Sequence, residues 1–274
     1  MGEVNGPCGL ARGGAAGQWR GMEFASPLLP ARLVRRYKRF LADMVLEDGT
    51  EVTAHCPNSG SMMGLSAPGL RCWLEPVAGR GRKLPYAWRL VELGGGHWAG
   101  IDATLPNRVV GEGLRAGRIA ALAGYETVRA EVAYGTRSRV DFLLEGPRGR
   151  AFVEVKNVHL RRDGAWAEFP DCVTARGAKH LAELAEVAAR GDRAVLLYLV
   201  QRTDCARLRL AGDLDPAYAR AAAQAAAAGV EFLAMGTVIS PRGVGLGDQI
   251  PVETPEVTGA GGQSGFASPP GSII

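Results

Sequence analysis

Three charged residues in two strand-like segments could together carry out hydrolytic chemistry. Asp141 lies among apolar neighbours in the first segment, and Glu154 and Lys156 lie two positions apart in the second. Residues i and i+2 of a strand point to the same face, so Glu154 and Lys156 share one. A short turn at Gly146-Pro147 makes the two segments hairpin neighbours. We therefore expect both carboxylates and the ammonium group to meet at the end of an apolar hairpin.

Paired carboxylates of this kind suit a hard divalent cation. Mg²⁺ is typically held by one or two carboxylates together with substrate phosphate. An ammonium group beside it can orient a water molecule or neutralise charge that grows on phosphorus. The pattern predicts phosphodiester hydrolysis that depends on Mg²⁺ or Mn²⁺, with Asp141 and Glu154 as metal ligands and Lys156 positioning the attacking water. A simple ion pair at a strand end is the alternative, but unpaired charge inside apolar segments is costly.

Further candidates for this site lie on two predicted helices. Glu112 precedes the hairpin and could complete the metal shell, or it could be an acidic residue favoured by the helix dipole. Lys179 and His180 follow the hairpin and could contact the scissile phosphate, or they could lie on a solvated helix face. We predict Asp141, Glu154, Lys156, Lys179 and His180 as catalytic residues.

The periodicity of residues 106–253 predicts a mixed α/β domain with the element order α-β-β-β-α-β-α-β. Helical spacing is predicted at 112–122, 179–187 and 216–228, where Asp215 is the N-cap and Gly229 ends the helix. The predicted strands are 127–133, 138–144, 150–155, 194–200 and 230–234. The segment 194–200 is apolar throughout, which is typical of a central strand buried on both faces.

The preceding residues, 22–105, have only strand signals. Short alternating segments separated by glycine-containing turns occur at 32–46, 51–55, 71–75 and 86–93. Such a region predicts a small β-barrel, with a domain boundary near Leu105. Residues 1–21 and 254–274 are rich in Gly, Ala, Ser or Pro and lack periodicity, so we expect both to be flexible tails.

Basic and aromatic residues interleave in this first region, which is typical of small barrels that bind nucleic acid. Strand alternation would place Arg36, Lys38 and Phe40 on one face, making that face basic. The loop at 55–62 offers backbone amides that could bind phosphate. Solvated arginines are the alternative, since only four of the 32 basic residues are lysine. The predicted nucleic-acid-binding residues are Arg35, Arg36, Tyr37, Lys38, Arg39, Asn58, Ser61, Arg82 and Lys83.

The composition of the 274 residues excludes several classes of protein. Hydrophobic residues make up 47% and the net charge is +4, which is ordinary for a globular protein. No stretch of 18 apolar residues occurs and no signal peptide is recognisable, so we expect a cytoplasmic protein without a membrane partner. The five cysteines form no CxxC pair, and no nucleotide-cofactor motif is present. An oligomer is possible, but its state cannot be read from the sequence.

Several segments together resemble the sugar fermentation stimulation protein family (SfsA). They are 35–40 (RRYKRF), 55–62 (HCPNSGSM), 138–144 (SRVDFLL), 153–158 (VEVKNV), 169–171 (FPD) and 176–181 (RGAKHL). The resemblance implies an N-terminal OB-like barrel, a PD-(D/E)XK nuclease-like domain, DNA as partner and a regulatory role in sugar (maltose) metabolism. Asp141, Glu154 and Lys156 match the nuclease motif. Residues 101–104 (IDAT) and the two tails depart from the family pattern.

Two functions from different classes remain open, together with a weaker third. The first is a metal-dependent, DNA-binding nuclease; the second is a DNA-binding regulator that keeps the nuclease scaffold without turnover. The intact charged set favours the nuclease, because converging carboxylates repel phosphate unless a cation lies between them. A sugar-binding or other small-molecule enzyme would need a separate, aromatic-lined pocket, for which the sequence offers no second constellation.

Overall fold

The computed structural model of the chain describes Trp19 and residues 21–77, 83–134 and 138–253. The predicted tails at 1–21 and 254–274 therefore lie almost wholly outside the described residues, as does Arg82. The first part of the chain contains the strands β1 (Met22–Glu23), β2 (Leu29–Tyr37), β3 (Leu41–Leu46), β4 (Glu51–His55), β5 (Arg71–Pro76), β6 (Tyr86–Leu93) and β7 (His97–Gly100). The remainder contains α1 (Leu105–Arg115), β8 (Thr127–Tyr134), β9 (Ser138–Gly146), β10 (Gly149–Val158), β11 (Trp166–Phe169), α2 (Ala175–Ala189), β12 (Arg193–Val200), β13 (Arg207–Leu210), α3 (Pro216–Ala227), β14 (Glu231–Ser240) and β15 (Gly243–Ile250).

The predicted small barrel is present. Its strands run in the order β4-β3-β2-β5-β6-β7, and a parallel pairing of β4 with β6 closes five of them into a barrel. Alternate residues point inward, so Leu33, Met44, Leu74 and Trp88 are almost completely buried. This alternation made the barrel strands predictable from the sequence.

The second domain is built on a seven-stranded sheet in the order β1-β15-β14-β12-β10-β9-β8. The central strands β10, β12 and β14 are parallel. Along β12, Leu197 packs in the core that contains the apolar residues of α1, while its neighbours Leu196 and Tyr198 pack with α2 and α3. The prediction that this strand is buried on both faces is confirmed. A separate two-stranded sheet pairs β11 with β13, neither of which the sequence pattern predicts.

The first helix is not where periodicity placed it. We predicted 112–122, but α1 spans Leu105–Arg115 and the residues Ala120–Leu122 form only a 3-10 turn. The sequence pattern did not predict a helix over 105–111 because Gly111 and Gly113 lower the helix propensity of this segment. The structure shows why glycine is needed: a Cβ at Gly111 would come within 3.0 Å of the Phe142 ring on β9. The other helices agree with prediction, with Asp215 accepting a hydrogen bond from the Tyr218 amide at the start of α3.

The N-terminal strand β1 belongs to the larger sheet. Met22 and Glu23, which the sequence predicts to belong to the barrel region, pair antiparallel with Val244 and Gly243 of β15. We did not predict β15, because its glycines disfavour a strand. A Cβ at Gly243 would collide with the Met22 carbonyl, so glycine lets the two backbones approach. Within the described ranges, no helix is both long and apolar enough to cross a membrane.

Candidate functional site

The predicted carboxylates lie where β9 and β10 separate. The two strands pair in register only as far as Phe142 and Val153. One residue beyond, the Asp141 side chain takes the place of a strand carbonyl, and its Oδ2 accepts a hydrogen bond of 2.7 Å from the Val155 amide. Its Oδ1 accepts a 2.6 Å hydrogen bond from Nδ2 of Asn107, in the first turn of α1. The two strands therefore diverge here, and Asp141 is held between them by these two hydrogen bonds. We call the region between the diverging strands, which contains Asp141 and Glu154, the fork.

Glu154 lies on β10 beside this fork and is only 2% exposed. Its Oε1 accepts a 2.8 Å hydrogen bond from Lys156 Nζ, as strand parity predicted. The same oxygen is also in short contact with Nδ1 of His180 on α2. Its other oxygen, Oε2, is buried and has no hydrogen-bond partner among the described residues. An ionised carboxylate oxygen without a donor at such depth is costly and is a natural position for a ligand.

The two carboxylates differ in their electrostatic surroundings. Burial, and next the nearby charge of Glu154, raise the pKa of Asp141. Burial also acts to raise the pKa of Glu154, but the hydrogen bond from His180 and the charge of Lys156 outweigh it, so that this pKa is lowered. Like charges at close range disfavour the ionisation of both groups, and a bound cation would remove that conflict.

Helix α2 brings three polar side chains, those of Lys179, His180 and Glu183, to the same region. His180 is 6% exposed and contacts Glu154 rather than reaching the surface, where we expected it to meet phosphate. Lys179 is half exposed, and its Nζ lies 3.2 Å from Ser138 Oγ and 3.5 Å from Glu183 Oε1. Lys179 therefore lies at the exposed edge of the fork, where it contacts both Ser138 and Glu183.

Glu112, the predicted third metal ligand, is exposed on α1. The α1 side chain that reaches Asp141 is Asn107, five positions earlier and so about 140° around the helix at 3.6 residues per turn. Because we predicted the helix to begin at Glu112, Asn107 was not recognised as a candidate residue of the site. Within the described ranges, no group of three or more His, Cys, Asp and Glu side chains could hold a metal ion by itself. The metal role of Glu112 stays a prediction.

The basic segment at the end of β2 is divided between internal contacts and a turn. Arg35 pairs with Asp43 at 2.8 Å, and Tyr37 donates to the same carboxylate at 3.1 Å. The strand ends at Tyr37, so the predicted alternation of Arg36, Lys38 and Phe40 on one face is wrong. Lys38 and Arg39 instead have left-handed backbones, with φ of 47° and 61°. Positive φ is common in hairpin turns but is adopted most easily by Gly or Asn, so two basic residues in this conformation are unusual.

The loop at 55–62 is occupied by contacts within the protein. Arg36 donates to the carbonyl groups of Asn58 and Gly60 at 2.8 and 3.0 Å. Asn58 is buried, and its Nδ2 donates to the Ile101 carbonyl at 2.9 Å. Ser61 binds Asp171 of the second domain through its amide and hydroxyl groups, at 3.0 and 3.1 Å. Asn58 and Ser61 therefore join the two domains and do not form an open phosphate loop.

A buried histidine, and an arginine paired with two buried carboxylates, lie near this junction. His159 packs between Asn58 and the Gly100 carbonyl, and burial lowers its pKa to about 4. Arg89 forms ion pairs with Asp102 and with Glu75, the latter at 2.7 Å. Asp102 thus holds the segment 101–104 in place through its ion pair with Arg89 and its hydrogen bonds from Thr104. Beside it, exposed Lys83 lines a cavity of about 500 Å³ together with His55 and Arg89.

Two family models match most of this chain. The "SfsA N-terminal OB domain" matches residues 34–101, which include the closed barrel from mid-β2 onward. The "Sugar fermentation stimulation protein RE domain" matches residues 104–243, which carry the fork and α2. The predicted fold, an OB barrel followed by an α/β domain, is confirmed by these matches and by the strand order.

Curated relatives and a solved structure agree with the family models. A "Sugar fermentation stimulation protein homolog" of Jannaschia sp. is 63% identical over 234 residues, covering 85% of this chain and 97% of that protein. A homologue of the same name from Dinoroseobacter shibae is 64% identical, with 85% and 96% covered. The structure of Pyrococcus furiosus SfsA in complex with Ca²⁺ is 29% identical and superposes with a TM-score of 0.76, covering 86% of this chain and 99% of that one.

Proposed function

The chain belongs to the sugar fermentation stimulation protein family, and we propose that it is a DNA-binding protein with a divalent-metal-dependent nuclease site. The observation that carries the proposal is the fork, where the half-buried carboxylate of Asp141 lies near the buried one of Glu154, and Glu154 Oε2 lacks a donor among the described residues. A protein that only bound a polyanion would gain nothing from converging carboxylates, which repel phosphate.

The residues present fit a hard divalent cation. Asp141 and Glu154 would hold Mg²⁺ or Mn²⁺, and two protein carboxylates supplemented by water and phosphate suffice for Mg²⁺. The Pyrococcus furiosus protein was solved in complex with Ca²⁺, which also prefers oxygen ligands. When bound, such a cation would polarise the phosphodiester and increase the acidity of a bound water.

The side chains around the fork divide the remaining tasks. Lys156, whose Nζ lies 2.8 Å from Glu154 Oε1, is placed to orient the attacking water and to offset charge on the transferred phosphoryl group. Lys179 at the rim is placed to bind the approaching phosphate. In the proposed reaction, water attacks phosphorus and releases a proton to solvent, the bond from phosphorus to the leaving oxygen breaks, and that oxygen takes up a proton from solvent.

Binding of DNA would draw on the exposed basic residues of the barrel. Lys38 and Arg39 occupy the turn between β2 and β3, and Lys83 borders the cavity near the domain junction. We propose these residues as phosphate contacts, together with Arg82. Such contacts release counterions, so the affinity should fall steeply with salt.

A non-catalytic DNA-binding regulator is the second candidate, and one observation favours it. Three of the four oxygens of Asp141 and Glu154 already accept hydrogen bonds from protein donors. The fork therefore has an internally satisfied arrangement that could persist without a cation. The family's name, which refers to the stimulation of sugar fermentation, agrees with such a regulatory role.

Cleavage of labelled single- and double-stranded DNA in Mn²⁺, Mg²⁺ or EDTA distinguishes the two. We expect metal-dependent cutting that falls at least about 100-fold in Glu154→Gln and in Lys156→Met. Glu186→Gln, at an exposed position on α2, is the matched control and should cut like the wild type. DNA binding without cutting in any metal would reject the nuclease and leave the regulator.

A further inference from the structure

Two residues of α2, one helical turn apart, form a chain of contacts that ends at Glu154. Arg176 is exposed in the first turn of the helix, and its Nε lies 3.3 Å from Nε2 of His180. His180 is buried and presents its other ring nitrogen, Nδ1, to Glu154 Oε1. Residues at i and i+4 of a helix are neighbours on its surface, so this arrangement is built into α2 itself.

The first contact determines where the imidazole carries its hydrogen. Arginine Nε–H can only donate, so His180 Nε2 must offer its lone pair. The ring hydrogen is then on Nδ1, from which it is donated to Glu154 Oε1. Lys156 Nζ donates to the same oxygen at 2.8 Å. Its 3.3 Å separation from Nδ1 is then the approach of two donors that share Oε1 and not a hydrogen bond between them. Both donors are thus directed to one oxygen of the carboxylate.

We infer that Arg176 and His180 are positioning residues that turn Glu154 so that Oε2 is kept free for a cation. This inference rests on the proposed metal site. Outer-sphere donors that fix the orientation of a ligating side chain commonly change metal affinity by 10- to 100-fold. His180 therefore serves the site by holding the carboxylate and not by touching phosphate.

The tautomer of His180 is the direct test, and a merely structural role would not require it. The protein has only four histidines, so long-range ¹H–¹⁵N correlation spectra of the full chain are tractable, with His180→Gln supplying the assignment. We expect a protonated Nδ1 and an unprotonated Nε2 in the wild type. In Arg176→Met this pattern should shift toward the Nε2–H form, whereas Arg190→Met, at the other end of α2, should leave it unchanged. A wild-type Nε2–H ring, or no shift in Arg176→Met, would overturn the inference.

Calorimetric titration with Mn²⁺ alone connects the tautomer to the site. We expect the Mn²⁺ affinity of Arg176→Met to be about tenfold weaker than that of the wild type, and that of Arg190→Met to be equal to it. Equal affinity in Arg176→Met would reject the positioning role while leaving the metal site in place. If the wild type bound no Mn²⁺, the proposed function itself would fail.

Discussion

The fork between β9 and β10 and the loop at 55–62 both carry polar side chains, but these have different kinds of partner. In the loop, Asn58 and Ser61 are satisfied by Ile101 and Asp171, at the junction of the two domains. In the fork, the donors converge on carboxylates and still leave Glu154 Oε2 without a partner among the described residues. Among the described residues of these two regions, the buried oxygen without a partner lies in the fork and not in the loop, so the fork is the candidate ligand site.

If the loop is structural, His159 behind it should make folding sensitive to pH. Its pKa is about 4 in the folded protein, below the ordinary value of about 6.5, so the unfolded chain binds the proton more readily. The stabilisation is present above pH 6.5 and is lost as the pH falls toward 4, by about 3 kcal/mol. Urea unfolding from pH 7 to pH 4 should show this loss in the wild type and in His97→Gln, an exposed control, but not in His159→Gln. Parallel curves for all three proteins would contradict it.

The arginine that holds the loop should behave as a structural residue too. Arg36→Met removes hydrogen bonds to the carbonyls of Asn58 and Gly60, which we expect to lower the free energy of unfolding by about 2 kcal/mol. Arg35→Met removes an exposed ion pair with Asp43 and should cost less than about 1 kcal/mol. Thermal or urea unfolding measures both. If the two variants had equal free energies of unfolding and only Arg36→Met bound DNA more weakly, the structural role of Arg36 would be rejected. Arg36 would then belong to the DNA-binding surface.

Substitutions in the turn beside the loop, at Lys38 and Arg39, should have the smallest effect on stability and should alter only DNA binding. Replacing Lys38 and Arg39 by Asn and Gly suits their left-handed backbones, so the fold should be as stable as the wild type or slightly more so. If both cations contact phosphate, the slope of log affinity against log salt should decrease in magnitude by about 2. An unchanged slope in salt titrations of DNA binding would show that neither residue contacts phosphate.

Much of the fold was predictable because burial imposes a period on the sequence. The barrel strands alternate, and β12 is apolar on both faces, as the layers of the second domain require. Prediction failed where backbone contact replaced side-chain packing. Gly111 and Gly243 are selected for the close approach of Phe142 and Met22, which no propensity scale records.

The candidate site was predictable to the extent that strand parity determines it. Parity and a short turn brought Glu154, Lys156 and Asp141 together. His180 was predicted for this site, but as a phosphate contact, and Asn107 was not predicted at all. Their contacts with Glu154 and Asp141 depend on how α2 and α1 are placed against the sheet, which the sequence pattern does not contain. The roles of Asn58 and Ser61 depend on a domain junction in the same way.

The pairing of β1 with β15 has a consequence for the order in which the protein assembles. Because Met22 and Glu23 pair with Val244 and Gly243, the barrel is in effect an insertion into the larger domain, enclosed by it on both sides of the sequence. During synthesis, β1 leaves the ribosome early and has no strand partner until almost all of the described chain has followed. Contacts between such distant residues close large loops and form late, so we expect the final step of folding to lock both domains together as one cooperative unit.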